Sequence, residues 1–243
     1  LAVVCLLVTY PPSSARAQGE ARPTALILNT EHYPPYSRSD GQGFEDLIAR
    51  EIFRRLGIGV EFNLLPSERV LVNANAGIDD GILARIGGMA AKYPNLVQFE
   101  EPVLVRSYVA FARRPDVTVS GWHSLRPYHV AIVTGWKILE RNIRHSRSLT
   151  KVRNARQLFS VLDQDRVDVV AYSKLSGLQL VRDQGLSGIR ALEPPLATQE
   201  SFFYLHKKHR RLIGPAGRAL RRIRSDGTYR RIYDRVIKPL VGK

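Results

Sequence analysis

Along the first half of the chain the apolar positions change period several times, and each change marks an element. From Phe44 to Leu56, the residues Phe44, Leu47, Ile48, Ile52 and Leu56 fall on one stripe of a helix, with Glu45, Arg50, Glu51, Arg54 and Arg55 mostly off it. Gly57 ends that helix. Val60, Phe62 and Leu64 then alternate with polar residues, the period of a half-buried strand, before Pro66 breaks the pattern. Ser67 is placed to cap a second helix whose Val70, Leu71 and Ala74 share a face, and Gly77 stops it in a left-handed conformation. Asp79, Asp80 and Gly81 turn the chain into the short apolar strand Ile82-Leu83, with Arg85 at its end.

The same reading gives strands at Thr24–Leu28, Tyr108–Ala112, His129–Val133, Val167–Ala171 and Phe202–Leu205, with helices near residues 154–162, 174–182 and 212–224. Strands alternating with helices predict an α/β protein with mostly parallel sheets. The charged turn Arg113–Asp116 marks a boundary between two lobes. In open α/β sheets, ligands bind outside the carboxyl ends of strands, so the loops after the strands are where a site is expected.

Those loops carry the candidate chemistry. Prolines in Tyr33-Pro34-Pro35-Tyr36 fix the backbone and pre-position Tyr36 as an apolar wall tipped by a hydroxyl; the plainer reading is a rigid turn with one core tyrosine. Arg85 offers a planar fork of donors for a carboxylate or phosphate, or else an ion pair with Asp79, Asp80 or Glu101; Arg69 is a second candidate. Thr134-Gly135-Trp136 opens a helix that runs through Ile143, and free amides at such a start suit an anion; otherwise Trp136 is core packing. Ser173 stands at the end of another strand beside Tyr172.

The amino end points to export. Leu1–Val8 is apolar, Pro11 and Pro12 follow, and Ala15-Arg16-Ala17 has the small-x-small form of a cleavage site, so residues 1–17 read as a signal peptide truncated at its start. The mature chain then begins near Gln18. Cys5, the single cysteine, lies within that segment, which leaves the mature protein without a disulfide. No later stretch reaches the ~18 apolar residues that span a bilayer.

Several stretches together resemble the bacterial extracellular solute-binding proteins, family 3. They are YPPY at Tyr33–Tyr36, GFEDLIAREIFRRLGI at Gly43–Ile58, the run Arg69–Pro102 with its ANAGIDDG and YPNL elements, VAIVTGW at Val130–Trp136 and VDVVAYS at Val167–Ser173. The resemblance implies a two-lobed periplasmic-binding fold of type II with two crossing hinge segments. Residues 24–113 and 206–243 would form the first lobe and 114–205 the second, with crossings near Phe111–Pro115 and Gln199–Leu205. It also implies a periplasmic monomer without a cofactor that closes on a small-molecule ligand and hands it to an ABC-type permease. Two departures stand out against the family's amino-acid binders. Tyr93 falls where their carboxylate-gripping arginine would be, and Ser173 where their ammonium-holding aspartate would be. A standard zwitterionic amino acid is therefore not the expected ligand.

Charge changes this picture modestly. The sequence carries 37 Lys and Arg against 22 Asp and Glu, a net of +15, and the segment from His206 onward holds 13 basic residues against Asp226 and Asp234. Such a face suits an anionic membrane surface or simply solvent. Nucleic-acid binding is not expected, because no zinc spacing, base-stacking aromatics or helix-turn-helix accompanies the charge. His206 and His209 lack a third metal ligand nearby in sequence, and no GxSxG, HExxH or phosphate-loop pattern occurs. The competing functions are a dehydratase-like enzyme on the same scaffold, using Glu45, Glu101 or Glu200 as an acid, and a stand-alone ligand sensor.

Overall fold

The computed structural model describes residues 23–241, so the expected signal peptide and Cys5 lie outside the described residues. Strand β1 (Ala25–Thr30) runs parallel to β2 (Gly59–Leu64) on one side and to β3 (Gly81–Ile86) on the other. Helices α1 (Phe44–Arg54) and α2 (Ser67–Ala76) make the crossovers that parallel neighbours require. A second parallel set has β6 (His129–Val133) between β7 (Ser148–Val152) and β8 (Val169–Ser173), connected through α3 (Lys137–Asn142) and α4 (Ala155–Asp163).

Two long antiparallel strands join the sets. β5 (Leu104–Ala112) leaves the first set and β10 (Ala197–His206) returns to it, pairing from Leu104–Ser201 to Tyr108–Ala197. The order β2-β1-β3-β10-β5-β8-β6-β7 makes one continuous hydrogen-bonded ladder, with β4 (Leu96–Gln98) added to β10 and β9 (Arg190–Ala191) to β5. The lobes are distinguished by their cores. Leu28, Ile48, Phe53, Phe203 and Leu220 pack in the first, and Ala110, Phe111, Ile132, Phe159 and Val170 in the second. Burying each of the larger of these side chains contributes about 1.5–3 kcal/mol, so the cores hold their lobes firmly. The ribbon between them, around Val105–Tyr108 and Ala197–Glu200, is exposed or half-buried. That is the place for bending.

These cores shift the sequence-derived boundaries. Val109 to Ala112 pack in the second lobe, although residues through 113 were expected in the first, and Phe202 to Leu205 pack in the first rather than the second. The charged turn at Arg113–Asp116 follows the crossing instead of making it, because the chain crosses as regular strand.

α5 (Lys174–Asp183) follows β8, and the chain finishes with α6 (Ile213–Ser225), α7 (Thr228–Val236) and α8 (Lys238–Val241). α6 and α7 pack on α1, where the Phe44 ring meets Tyr229 edge-on at 5.2 Å. The start of α1 is fastened by buried Asp46, whose carboxylate accepts the Gly43 N–H at 2.8 Å, the Arg38 N–H at 2.9 Å and the Ser37 hydroxyl at 2.7 Å. This fixes the loop that carries Tyr33 and Tyr36. Ser67 does not cap α2 through its side chain: it is the first helical residue, after Pro66, and its hydroxyl bonds Glu31 at 2.7 Å.

Candidate functional site

On the first lobe, the ends of β1 and β3, the start of α1 and the crossing strand β5 bring four charges together. Glu45, buried on the first turn of α1, accepts from Arg106 Nη2 at 2.5 Å and from the Ala84 N–H at 3.3 Å. Arg106 also donates to the Ala84 carbonyl at 3.4 Å and lies beneath the rings of Tyr36, at 4.8 Å, and Tyr33, at 5.4 Å. The same carbonyl accepts from Arg85 Nη1 at 3.3 Å, and Arg85 Nη2 is paired with Glu31. Burial pushes the Glu45 carboxyl upward against the pull of Arg106. Burial also opposes the charge on Arg106, but the paired Glu45 carboxylate offsets it and holds the guanidinium protonated. Tyr33 is driven up to about 12 by burial, so it enters any binding event as a neutral hydroxyl.

Across the cleft, Trp136 stacks on Tyr172 with centroids 4.5 Å apart and meets Tyr33 and Tyr108 edge-on at 6.3 and 5.9 Å. Tyr33 therefore touches both lobes. Beside it the hydroxyls of Ser173 and Ser176 are buried, and neither forms a hydrogen bond of normal geometry. A cavity of about 460 Å³ lies between the lobes, bounded by Glu31, Tyr33, Glu45, Arg85, Arg106, Tyr108 and Gln199 on one side and by Trp136, Lys137, Ile138, Arg141 and Asn142 on the other.

Of the residues singled out in the sequence, the cavity wall includes Arg85 and Trp136. Tyr36 is instead a core residue, 2% exposed, stacked behind Tyr33 at 5.5 Å; the first tyrosine of YPPY faces the cleft. Arg69 is exposed on α2 away from the cavity. Tyr93 is buried against α2, where its hydroxyl donates to Glu68 at 3.1 Å, so it has no place in the pocket. Ser173 lies fully buried behind the wall. The expected anion corner at Gly135 is filled by the chain itself. The Gly135 N–H donates to Glu140 Oε1 at 3.1 Å, and Lys137 and Lys151 approach that carboxylate at 3.1 and 3.3 Å. Arg85 pairs with Glu31 rather than with Asp79, Asp80 or Glu101. Glu31, Arg106, Lys137 and Arg141 are the charged wall residues that sequence reasoning left out of the site, and Glu45 entered it only as an acid for the enzyme alternative. Arg106 could have been noticed as a lone charge in the otherwise apolar or neutral run Leu104–Ala112.

This arrangement can hold a small polar molecule. Among the described residues no three His, Cys, Asp or Glu side chains converge on a possible metal position, and no helix is long and apolar enough to cross a membrane.

Two lobes, two crossing strands and an interlobe cavity define a solute-binding architecture. The chain belongs to the bacterial extracellular solute-binding proteins, family 3, whose model matches residues 26–239. It is 27% identical over 198 residues to an uncharacterized protein of Shewanella oneidensis, covering 76% of this chain and 73% of the other. Its fold is similar to that of an ancestral arginine-binding protein bound to glutamine, with 20% identity, a TM-score of 0.70 and coverage of 89% of this chain and 99% of that one. A histidine kinase sensor domain with similarity to periplasmic binding proteins superposes equally well, with 20% identity, a TM-score of 0.71 and coverage of 89% and 96%.

Proposed function

We propose that this protein captures a small anionic solute in the interlobe cleft, outside the cytoplasm, and passes it to an ABC-type uptake system without altering it chemically. The balance of charges in the cavity carries this reading. Each carboxylate on the wall already has an arginine partner, Glu31 with Arg85 and Glu45 with Arg106. Neither is left to hold a ligand ammonium. On the opposite lip Arg141 faces the cavity without a carboxylate partner among the described residues. A zwitterionic amino acid would thus bury its ammonium unpaired, at a cost of several kcal/mol, whereas a monoanion finds an unneutralised cation. The rings of Tyr33, Tyr108 and Trp136 supply an apolar wall for the body of the molecule.

A thermal-shift screen of small carboxylates, phosphates, amines and amino acids on the mature chain tests the proposal. Stabilisation by an anion that weakens on Arg141→Ala supports it. Tight binding of a free α-amino acid that is indifferent to that substitution refutes it. The sensor alternative is separated by an uptake assay: deletion of the gene should abolish import of the solute, which a sensor alone would not carry.

A further inference from the structure

We propose that Glu31 is the cavity's own stand-in for the ligand's anionic group, so that a carboxylate-bearing solute binds by exchanging with Glu31 at the Arg85 guanidinium. The inference deepens the solute-binding reading and rests on it. It begins with a difference between the two ion pairs in the cavity. Glu45 is sealed: its side chain is 3% exposed, it holds Arg106 and it also receives the Ala84 amide. Withdrawing it would strand a buried guanidinium. Glu31 is 32% exposed, sits in the loop just beyond β1, and has a second donor already in place, the Ser67 hydroxyl at 2.7 Å. Ser67 is itself exposed, and its hydroxyl reaches the same oxygen, Oε1, that faces Arg85. A rotation of Glu31 toward Ser67 and solvent would release Arg85 while keeping the carboxylate satisfied.

Arg85 has the matching properties. Its guanidinium is largely buried in the cavity wall, and apart from Glu31 its one hydrogen bond is from Nη1 to the Ala84 carbonyl. A buried guanidinium without a counter-charge is costly, so an empty cleft needs an internal anion there. Simple addition of a second carboxylate beside Glu31 would set two anions against one guanidinium. Exchange avoids both penalties, because one carboxylate faces Arg85 before and after binding. Glu31, Ser67 and Arg85 all belong to the first lobe, so the exchange needs a side-chain rotation and no hinge motion.

Chemical substitution of the carboxylate tests this with acetate as the probe and chloride at equal ionic strength as the control. In Glu31→Ala, acetate should raise the melting midpoint saturably and beyond the effect of chloride, while the native chain should respond to the two salts almost alike. Glu31→Gln, which keeps the side-chain shape, should bind acetate at least about tenfold more tightly than the native chain, because the internal competitor is gone. Adding Arg85→Ala to either variant should erase the response. If Glu31 merely braces the loop, both variants lose stability and acetate restores no more than chloride does, which overturns the proposal; an acetate response that survives loss of Arg85 overturns it too. The acetate measurements need no natural solute. A failed solute screen would therefore count against the cleft reading while the Glu31 result stood, and a failed acetate response would remove the exchange while leaving the cleft reading intact.

Discussion

Arg106 Nη2 lies 2.5 Å from Glu45 Oε1, and this contact fastens the crossing strand β5 to the first turn of α1. The arginine is held from two sides, since the faces of Tyr33 and Tyr36 cover the guanidinium that Glu45 neutralises. A charge placed on the hinge strand is thereby locked to the lobe from which that strand departs.

Removing either partner leaves the other buried and uncompensated. Glu45→Ala and Arg106→Ala should each destabilise the first lobe by about 3–5 kcal/mol, while Glu45→Leu with Arg106→Met should recover most of the loss. Urea denaturation of the singles and the double variant checks this. Singles that cost no more than an exposed pair would show that water reaches the site.

Tyr33 bridges the lobes, so its contact with Trp136 should report closure. The chain has two tryptophans, and Trp122→Phe leaves Trp136 as the remaining fluorophore. In that background Tyr33→Leu removes an edge-on aromatic contact of about 0.5–1.5 kcal/mol and should shift Trp136 emission to longer wavelength as the cleft wets. An unchanged spectrum would mean that the ring contact does not bias the lobes.

The alternation of strand and helix was legible because each element repeats its apolar positions at its own period: Phe44, Ile48 and Ile52 line α1 and occupy the first core as their spacing implies. The crossing was placed late because β5 and β10 do not alternate cleanly. β5 is buried at both ends, in different lobes, and only partly covered between them, while β10 is buried from Ser201 on but not before, so a strand such as Leu104–Ala112 reads as continuously apolar only from Tyr108 on. The site was legible where backbone position alone decides, as for Arg85 at the end of β3. It was obscure where side chains choose between neighbours. Nothing in YPPY says which ring turns inward, and Glu31 and Glu45 enter the cavity only because β3 and β5 deliver their arginine partners from far along the chain.

Close packing in the second lobe leads to a stability prediction. Gly177 on α5 lies against Phe111 and Phe159, whose rings meet edge-on at 5.1 Å, and an added methyl group would overlap the Phe111 ring. Gly177→Ala should therefore destabilise by about 1–3 kcal/mol despite the better helix propensity of alanine. Gly177→Ala combined with Phe111→Leu should regain part of the loss. Melting midpoints of the two proteins decide, and a neutral single substitution would show that the Phe111 ring can move aside.

Glu140 gives the acid limb of stability a specific origin. Its carboxylate accepts the Gly135 amide and is flanked by Lys137 and Lys151, which together lower it from 4.5 to about 2. The fold binds the charged form better than the unfolded chain does. The contribution is thus complete above the ordinary carboxylate range and drains away as pH falls from about 4.5 towards about 2. Glu140→Gln keeps the shape and removes the charge. It should be less stable than the native chain at neutral pH, with the gap narrowing on acidification until the two nearly coincide near the lowered value. Urea midpoints at about pH 6, 4 and 2.5 follow that convergence. A gap that stays constant across the series would show that the carboxylate acts through shape alone, and that Gly135 does not depend on an anion to hold its turn.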